Sequence, residues 1–221
     1  MIYIAPSILA ANYAALGEDV RKVGNADLLH VDIMDGHFVP NLSFGPDVTS
    51  AVNGVTEQFL DMHLMIEEPE RWFETYALAG GDRLVFHAEA VQDPVAAAKQ
   101  CRDLGVQSGI AIKPSTPVEP YLDHLEHFDE VLVMSVEPGF GGQKFMPEVL
   151  SKVMTLRDAI RGQGAGTVIG IDGGIAESTI AQAAAVGVDA FVAGSAVFGA
   201  ASPAEAVERL RALAREAAGD Q

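Results

Sequence analysis

The sequence predicts a closed (β/α)8 TIM barrel, a single parallel sheet ringed by helices, as one domain over residues 1–221. Three observations lead there. Short apolar runs alternate with longer helical patterns along the whole chain, eight such pairs can be counted, and no linker, low-complexity tract or charge run divides them. Strands that are apolar on both faces, each followed by a helix, indicate a buried parallel sheet. Eight units without a break in composition favour a cylinder over an open doubly wound sheet.

The strand-like runs are Ile2–Ala5, Leu28–Ile33, Gln58–His63, Arg83–His87, Gln107–Ile112, Glu130–Val133, Thr167–Asp172 and Ala190–Ala193. Between them the helical patterns are Tyr13–Val23, Asp47–Val52, Pro69–Ala79, Pro94–Leu104, Val118–His124, Pro147–Gln163, Ala176–Val186 and Pro203–Ala217. Pro94, Pro147 and Pro203 stand where a helix can begin, and Gly80, Gly105 and Gly187 stand near helix ends. Residues 217–221 read as a loose tail.

Composition narrows the function classes. Apolar residues make up 49% of the chain, enough for a sizeable core. The net charge of −17 makes nucleic acid and anionic membranes poor partners. An anionic small molecule is still allowed, because backbone amides bind phosphate without any basic side chain. The single cysteine, Cys101, cannot form an intrachain disulfide, which fits a reducing compartment. Residues 1–11 lack the charged start and apolar core of a signal peptide, and no apolar window is long enough to span a bilayer. A soluble, cytoplasmic protein is expected.

The unusual polar residues collect at the C-terminal ends of the predicted strands, where barrels carry their active sites. Ser7 follows the first strand, His30 and Asp32 end the second, and His63 ends the third. Asp172 ends the seventh strand and Gly194-Ser195 the eighth. His30 and Asp32 share a face, about 6–7 Å apart along the strand. An unpaired buried carboxylate costs several kcal/mol, so Asp32 needs a compensating partner. Two histidines and two aspartates (His30, Asp32, His63 and Asp172) make a divalent-metal shell whose mixed donors suit zinc, manganese, iron or cobalt rather than calcium. Taken singly, His63 reads as a hydrogen-bonded core histidine. Asp35, His37 and His87 read as loop-anchoring or supporting groups, and Glu89, His124 and His127 as structural or solvated ones.

Glycine clusters follow three adjacent strands: Gly139-Phe140-Gly141-Gly142, Gly173-Gly174 and Gly194-Ser195. Glycine lets backbone amides approach an anion closely, and barrels often hold phosphate in the loops after strands seven and eight. Met34, Met65 and Met134 lie at strand ends, where they would give a dry, pliable wall.

At this point the motifs resemble a known family. Pro6-Ser7-Ile8-Leu9, the run from His30 to Asn41, Asp61-Met62-His63-Leu64-Met65, the run from Val133 to Phe145, Ile171-Asp172-Gly173-Gly174-Ile175 and the run from Ala193 to Phe198 are similar to ribulose-phosphate 3-epimerases, in the family's order. The resemblance implies a TIM barrel that interconverts D-ribulose 5-phosphate and D-xylulose 5-phosphate in the pentose phosphate pathway. It implies one divalent metal per subunit, zinc first and iron, manganese or cobalt as alternatives, held by His30, Asp32, His63 and Asp172. Asp32 and Asp172 would be the acid/base pair. Ser7 and His63 would contact substrate, with Gly139, Phe140, Gly141, Gly142, Gly173, Gly174, Gly194 and Ser195 around its phosphate. A homo-oligomer is implied too. The sequence departs from the family at Gly170, where relatives often carry Glu or Gln.

Three other readings share the barrel. A sister epimerase acting on D-allulose 6-phosphate would keep the same metal site, although the Gly141–Lys144 and Asp172–Ile175 runs look more like the pentose enzyme. A metal-dependent hydrolase or aldolase is a second; a Schiff-base aldolase needs a lysine within a strand, and Lys113, at a strand end, is the only candidate. A non-catalytic phosphosugar-binding barrel is the third, and the aspartate pair argues against it.

Overall fold

The computed structural model describes residues 1–219. Eight strands form one sheet: β1 (Tyr3–Pro6), β2 (Leu28–Met34), β3 (Phe59–Met65), β4 (Arg83–His87), β5 (Gln107–Ile112), β6 (Glu130–Met134), β7 (Val168–Asp172) and β8 (Ala190–Ala193). Every pairing is parallel, in the order β1-β8-β7-β6-β5-β4-β3-β2. A single parallel bridge between Ser7 and His30 brings β1 alongside β2 and nearly closes the cylinder. The Asp27 amide donates to Ile4 O at 3.2 Å at the same seam.

Side chains alternate as the pleat requires. Leu29, Val31 and Ile33 of β2 face the helices and join the large outer core, whereas Leu28, Val85, Ala111, Leu132 and Val192 pack together inside the barrel. By the same parity His30, Asp32 and Met34 face inward, as do Asp61 and His63. The barrel interior therefore carries an unusual load of polar groups.

The helices are α1 (Leu16–Lys22), α2 (Pro46–Asn53), α3 (Phe73–Leu78), α4 (Pro94–Asp103), α5 (Leu150–Gln163), α6 (Ile180–Ala185), α7 (Ser195–Phe198) and α8 (Pro203–Ala218). In α4, Asp93 caps the Val95 and Ala96 amides, and Pro94 occupies a position where no amide is needed. Helix α8 buries Val207, Leu210, Arg211 and Ala214 at the spacing of one helical stripe.

Several sequence expectations need correction, beginning with the helix expected from Tyr13, which opens with a 3₁₀ turn at Tyr13–Ala15. After β5 there is no α-helix; Glu119–His127 is a 3₁₀ segment. The helices expected from Pro69 and Pro147 each begin with a separate 3₁₀ turn, at Pro69–Arg71 and Pro147–Val149. Helix α6 starts at Ile180 rather than Ala176, since Thr179 Oγ1 donates to Gly174 O and accepts from the Ala176 amide, holding that stretch as a turn. The short helix α7 lay unrecognised behind the Gly194-Ser195 motif. Of the expected tail, Ala217 and Ala218 finish α8, and residues 220 and 221 lie outside the described residues.

Candidate active site

The C-terminal mouth of the barrel holds a cavity of about 560 Å³. Ser7, Asp32, Asp172, the Gly139–Gly142 loop, Gly173, Gly174, Gly194 and Ser195 all line it, so residues from strands far apart in sequence meet as the motifs anticipated. Met34, Met65 and Met134 form part of its wall, each buried. His30 and His63 lie beneath, fully buried.

Parallel register places Asp32 beside His63, and His30 beside Asp61. His63 Nδ1 stands 3.1 Å from Asp32 Oδ1, 3.6 Å from Asp172 Oδ2 and 3.3 Å from His30 Nε2. One ligand atom from each of His30, Asp32, His63 and Asp172 lies within 4.8 Å of all the others. The remaining imidazole nitrogens point away: His30 Nδ1 donates to Asp61 Oδ2 at 2.8 Å, and His63 Nε2 lies 2.9 Å from His87 Nε2. Two ring nitrogens and two carboxylates then converge on one point. That arrangement fits a divalent cation, which would take these four groups as ligands in place of a proton.

The electrostatics point the same way. Burial disfavours a charge on His30, yet Asp32 and Asp61 outweigh it and raise that imidazole well above its usual range. The pocket calls for positive charge, whether a proton or a metal ion. Burial also opposes ionisation of Asp32, but His30 and His63 hold its carboxyl far below normal. Asp172 goes the other way: burial and the negative charge of Asp32 push it up to about 6. Two neighbouring carboxylates thus have opposite protonation preferences. Ser7 Oγ donates to Asp32 Oδ2 at 2.5 Å and fixes its rotamer.

Several supporting residues escaped the sequence reading. Asp61 lies inside one of the motifs, and its position two residues before His63 puts it on the same face, deeper in the barrel. It accepts from His30 and from Arg83 Nε at 2.7 Å. Arg83 Nη2 pairs in turn with Glu130 Oε2 at 3.0 Å, making a buried ionic layer under the site. Glu130 explains Gly170: a Cβ at 170 would collide with the Glu130 carboxylate and come within 2.9 Å of Leu132 Cδ1. Ser135 Oγ donates to Asp172 O and Gly173 O, clamping the turn that carries the catalytic candidate. Asn41 Nδ2 donates to Gly139 O at 2.8 Å and anchors the loop after β6.

Among the weaker candidates, Asp35 accepts the His37, Phe38 and Glu67 amides, an anchoring role as expected. His37 closes the same turn through Nδ1 and Asp35 O. His87 is buried, and that burial pushes it down to about 4, so its ring is neutral. Lys113 Nζ sits 4.0 Å from the centroid of the Phe38 ring and is not among the described residues lining the cavity, which removes support for a Schiff-base aldolase.

Fold and site together define a (β/α)8-barrel isomerase with a buried imidazole–carboxylate centre at its C-terminal mouth. The chain belongs to the ribulose-phosphate 3 epimerase family, whose profile matches residues 3–198. It is 56% identical over 208 residues to the ribulose-phosphate 3-epimerase of Mycobacterium tuberculosis, covering 94% of this chain and 91% of that protein. It is 42% identical over 214 residues to that of Bacillus subtilis, covering 96% and 99%. Among solved structures, KGPDC from Streptococcus mutans superposes with a TM-score of 0.74 at 15% identity, over 99% of this chain and 100% of that one, a likeness of fold alone.

Proposed function

We propose that this protein interconverts D-ribulose 5-phosphate and D-xylulose 5-phosphate by proton transfer at C3, with Asp32 and Asp172 as the acid/base pair. The observation that carries this reading is the apposition of the two carboxylates in one cavity, one favouring the ionised form and the other pushed to about 6. Epimerisation beside a ketone needs a base on one face of the carbon and an acid on the other. One carboxylate would take the C3 proton while the other delivers a proton opposite, and the reverse reaction would exchange their roles. Ser7 keeps Asp32 aimed at the cavity in either state.

A divalent cation held by His30, Asp32, His63 and Asp172 would supply positive charge to the developing enediolate as a Lewis acid. Imidazole with carboxylate suits zinc, iron, manganese or cobalt, and the family resemblance puts zinc first. No lysine or arginine is among the described residues lining the cavity. The substrate phosphate would therefore rest on backbone amides at Gly173, Gly174, Gly194 and Ser195, with Gly139, Phe140, Gly141 and Gly142 beside it. Binding there would fix C3 between the carboxylates. The buried methionines would keep the reacting carbon dry and strengthen every charge interaction around it. This reading includes a homo-oligomer in the cytoplasm, acting in the pentose phosphate pathway, with which the relatives' names are consistent.

The experiment is deuterium wash-in at C3 of ribulose 5-phosphate, with and without chelator, in the wild type and in D32N and D172N. Exchange with epimerisation is expected in the wild type, to be lost on chelation and reduced by orders of magnitude in both variants. Metal content is measured alongside, because the aspartates are also ligands. Near-normal turnover in either variant would refute the two-carboxylate scheme. Faster turnover of D-allulose 6-phosphate would reassign the substrate while keeping the chemistry.

A further inference from the structure

We infer that His87 and Glu89 are positioning residues that fix His63 as the Nε2–H tautomer, so that its Nδ1 lone pair faces the cation centre. The inference rests on the metal-centre reading above and deepens it. The geometry is a chain of three side chains. His63 Nε2 lies 2.9 Å from His87 Nε2, with the rings stacked at 5.0 Å between centroids, and His87 Nδ1 lies 3.2 Å from Glu89 Oε2. The other Glu89 oxygen accepts the Lys113 amide at 2.9 Å, which ties the carboxylate to the end of β5.

The direction of the chain follows from its outer end. Burial opposes ionisation of Glu89, yet hydrogen bonds from His87, Thr116 and the Lys113 amide hold it at about 2, so at neutral pH it only accepts. His87 Nδ1 must then carry the proton, which leaves His87 Nε2 as an acceptor. His63 Nε2 must donate to that acceptor, and His63 Nδ1 is left with a lone pair. His30 reaches the same result in one step, by donating Nδ1–H directly to Asp61. One relay has a single link and the other has two, and each presents a bare nitrogen at the centre: Nε2 from His30 and Nδ1 from His63. Neither His87 nor Glu89 is among the described residues lining the cavity, so their effect reaches the reaction only through His63.

The test loads metal-free protein with Co(II), reading affinity by titration and ligand geometry by the visible absorption bands. The variants are H87F, H87Q and E89Q, with circular dichroism melts run on each. In H87F the His63 Nε2–H has no acceptor, and Co(II) affinity is expected to fall about 10- to 100-fold with altered bands. In H87Q the amide oxygen can accept that proton, and most of the affinity should return. In E89Q the amide can donate as well as accept, the direction is no longer set, and an intermediate loss is expected. Should H87F fail to fold, E89Q and H87Q carry the test. Unchanged affinity and bands in the folded variants would overturn the positioning role while leaving the metal centre intact. Absence of Co(II) binding by the wild type would instead overturn the metal reading itself.

Discussion

At Gly170 the missing side chain matters because of what occupies its place. The Glu130 carboxylate from β6 reaches into that space and meets Arg83, which also pairs with Asp61. A methyl group at 170 would have to displace a buried, ion-paired group rather than a flexible tip. Gly170→Ala is therefore expected to destabilise the fold by about 1–3 kcal/mol, the usual cost of overpacking. The same substitution in an E130A background should cost less, because the colliding carboxylate is gone and only the Leu132 Cδ1 contact remains. Urea unfolding of the four proteins in this cycle measures the coupling. Additive effects would mean that Glu130 does not occupy the space.

Among the elements, the turn after β7 is the most constrained. Gly173 and Gly174 have φ of +124° and +65°, which side-chain-bearing residues rarely adopt. A Cβ at Gly174 would stand 2.5 Å from the Phe145 amide nitrogen, because the loops after β6 and β7 pack backbone against backbone. Ser135 and Thr179 tie the same turn from either side. Gly174→Ala combines a left-handed backbone costing about 1–2 kcal/mol with a collision that must push the β6 loop outward. With the substrate phosphate seated here, KM for ribulose 5-phosphate should rise about tenfold or more, with a smaller change in kcat. Steady-state kinetics on the purified variant decides, and an unchanged KM would place the phosphate elsewhere.

On the scale of the whole molecule, the barrel supports its site on a buried ionic layer rather than on hydrocarbon alone. Burial, reinforced by Asp61 and only partly offset by Arg83, pushes Glu130 up to about 7. Its unfolded value is 4.5, so between pH 4.5 and 7 the folded state holds more protons than the unfolded one. Stability from this group is present at low pH and is lost as pH rises through that window. Relative to E130Q, which lacks the titration, the wild type should lose stability between about pH 4.5 and 7 in urea unfolding. Parallel pH profiles for the two proteins would contradict it. Arg83→Met leaves Glu130 with no cation and Asp61 with His30 alone, and should cost about 3–5 kcal/mol.

The sequence by itself determined the barrel and the identity of the central donors. Strand alternation put His30 and Asp32 on one face, and His63, Asp172 and the glycine clusters fell at strand ends where a closed barrel must gather them. Only the tertiary structure decided which groups stand behind the donors. Asp61, Arg83 and Glu130 look like ordinary charges in a linear reading, because their partners lie 22 to 31 positions away or on strands that are not consecutive. Periodicity encodes the face on which a residue lies; the neighbour it meets across the barrel depends on register and closure, which exist only after the chain has folded.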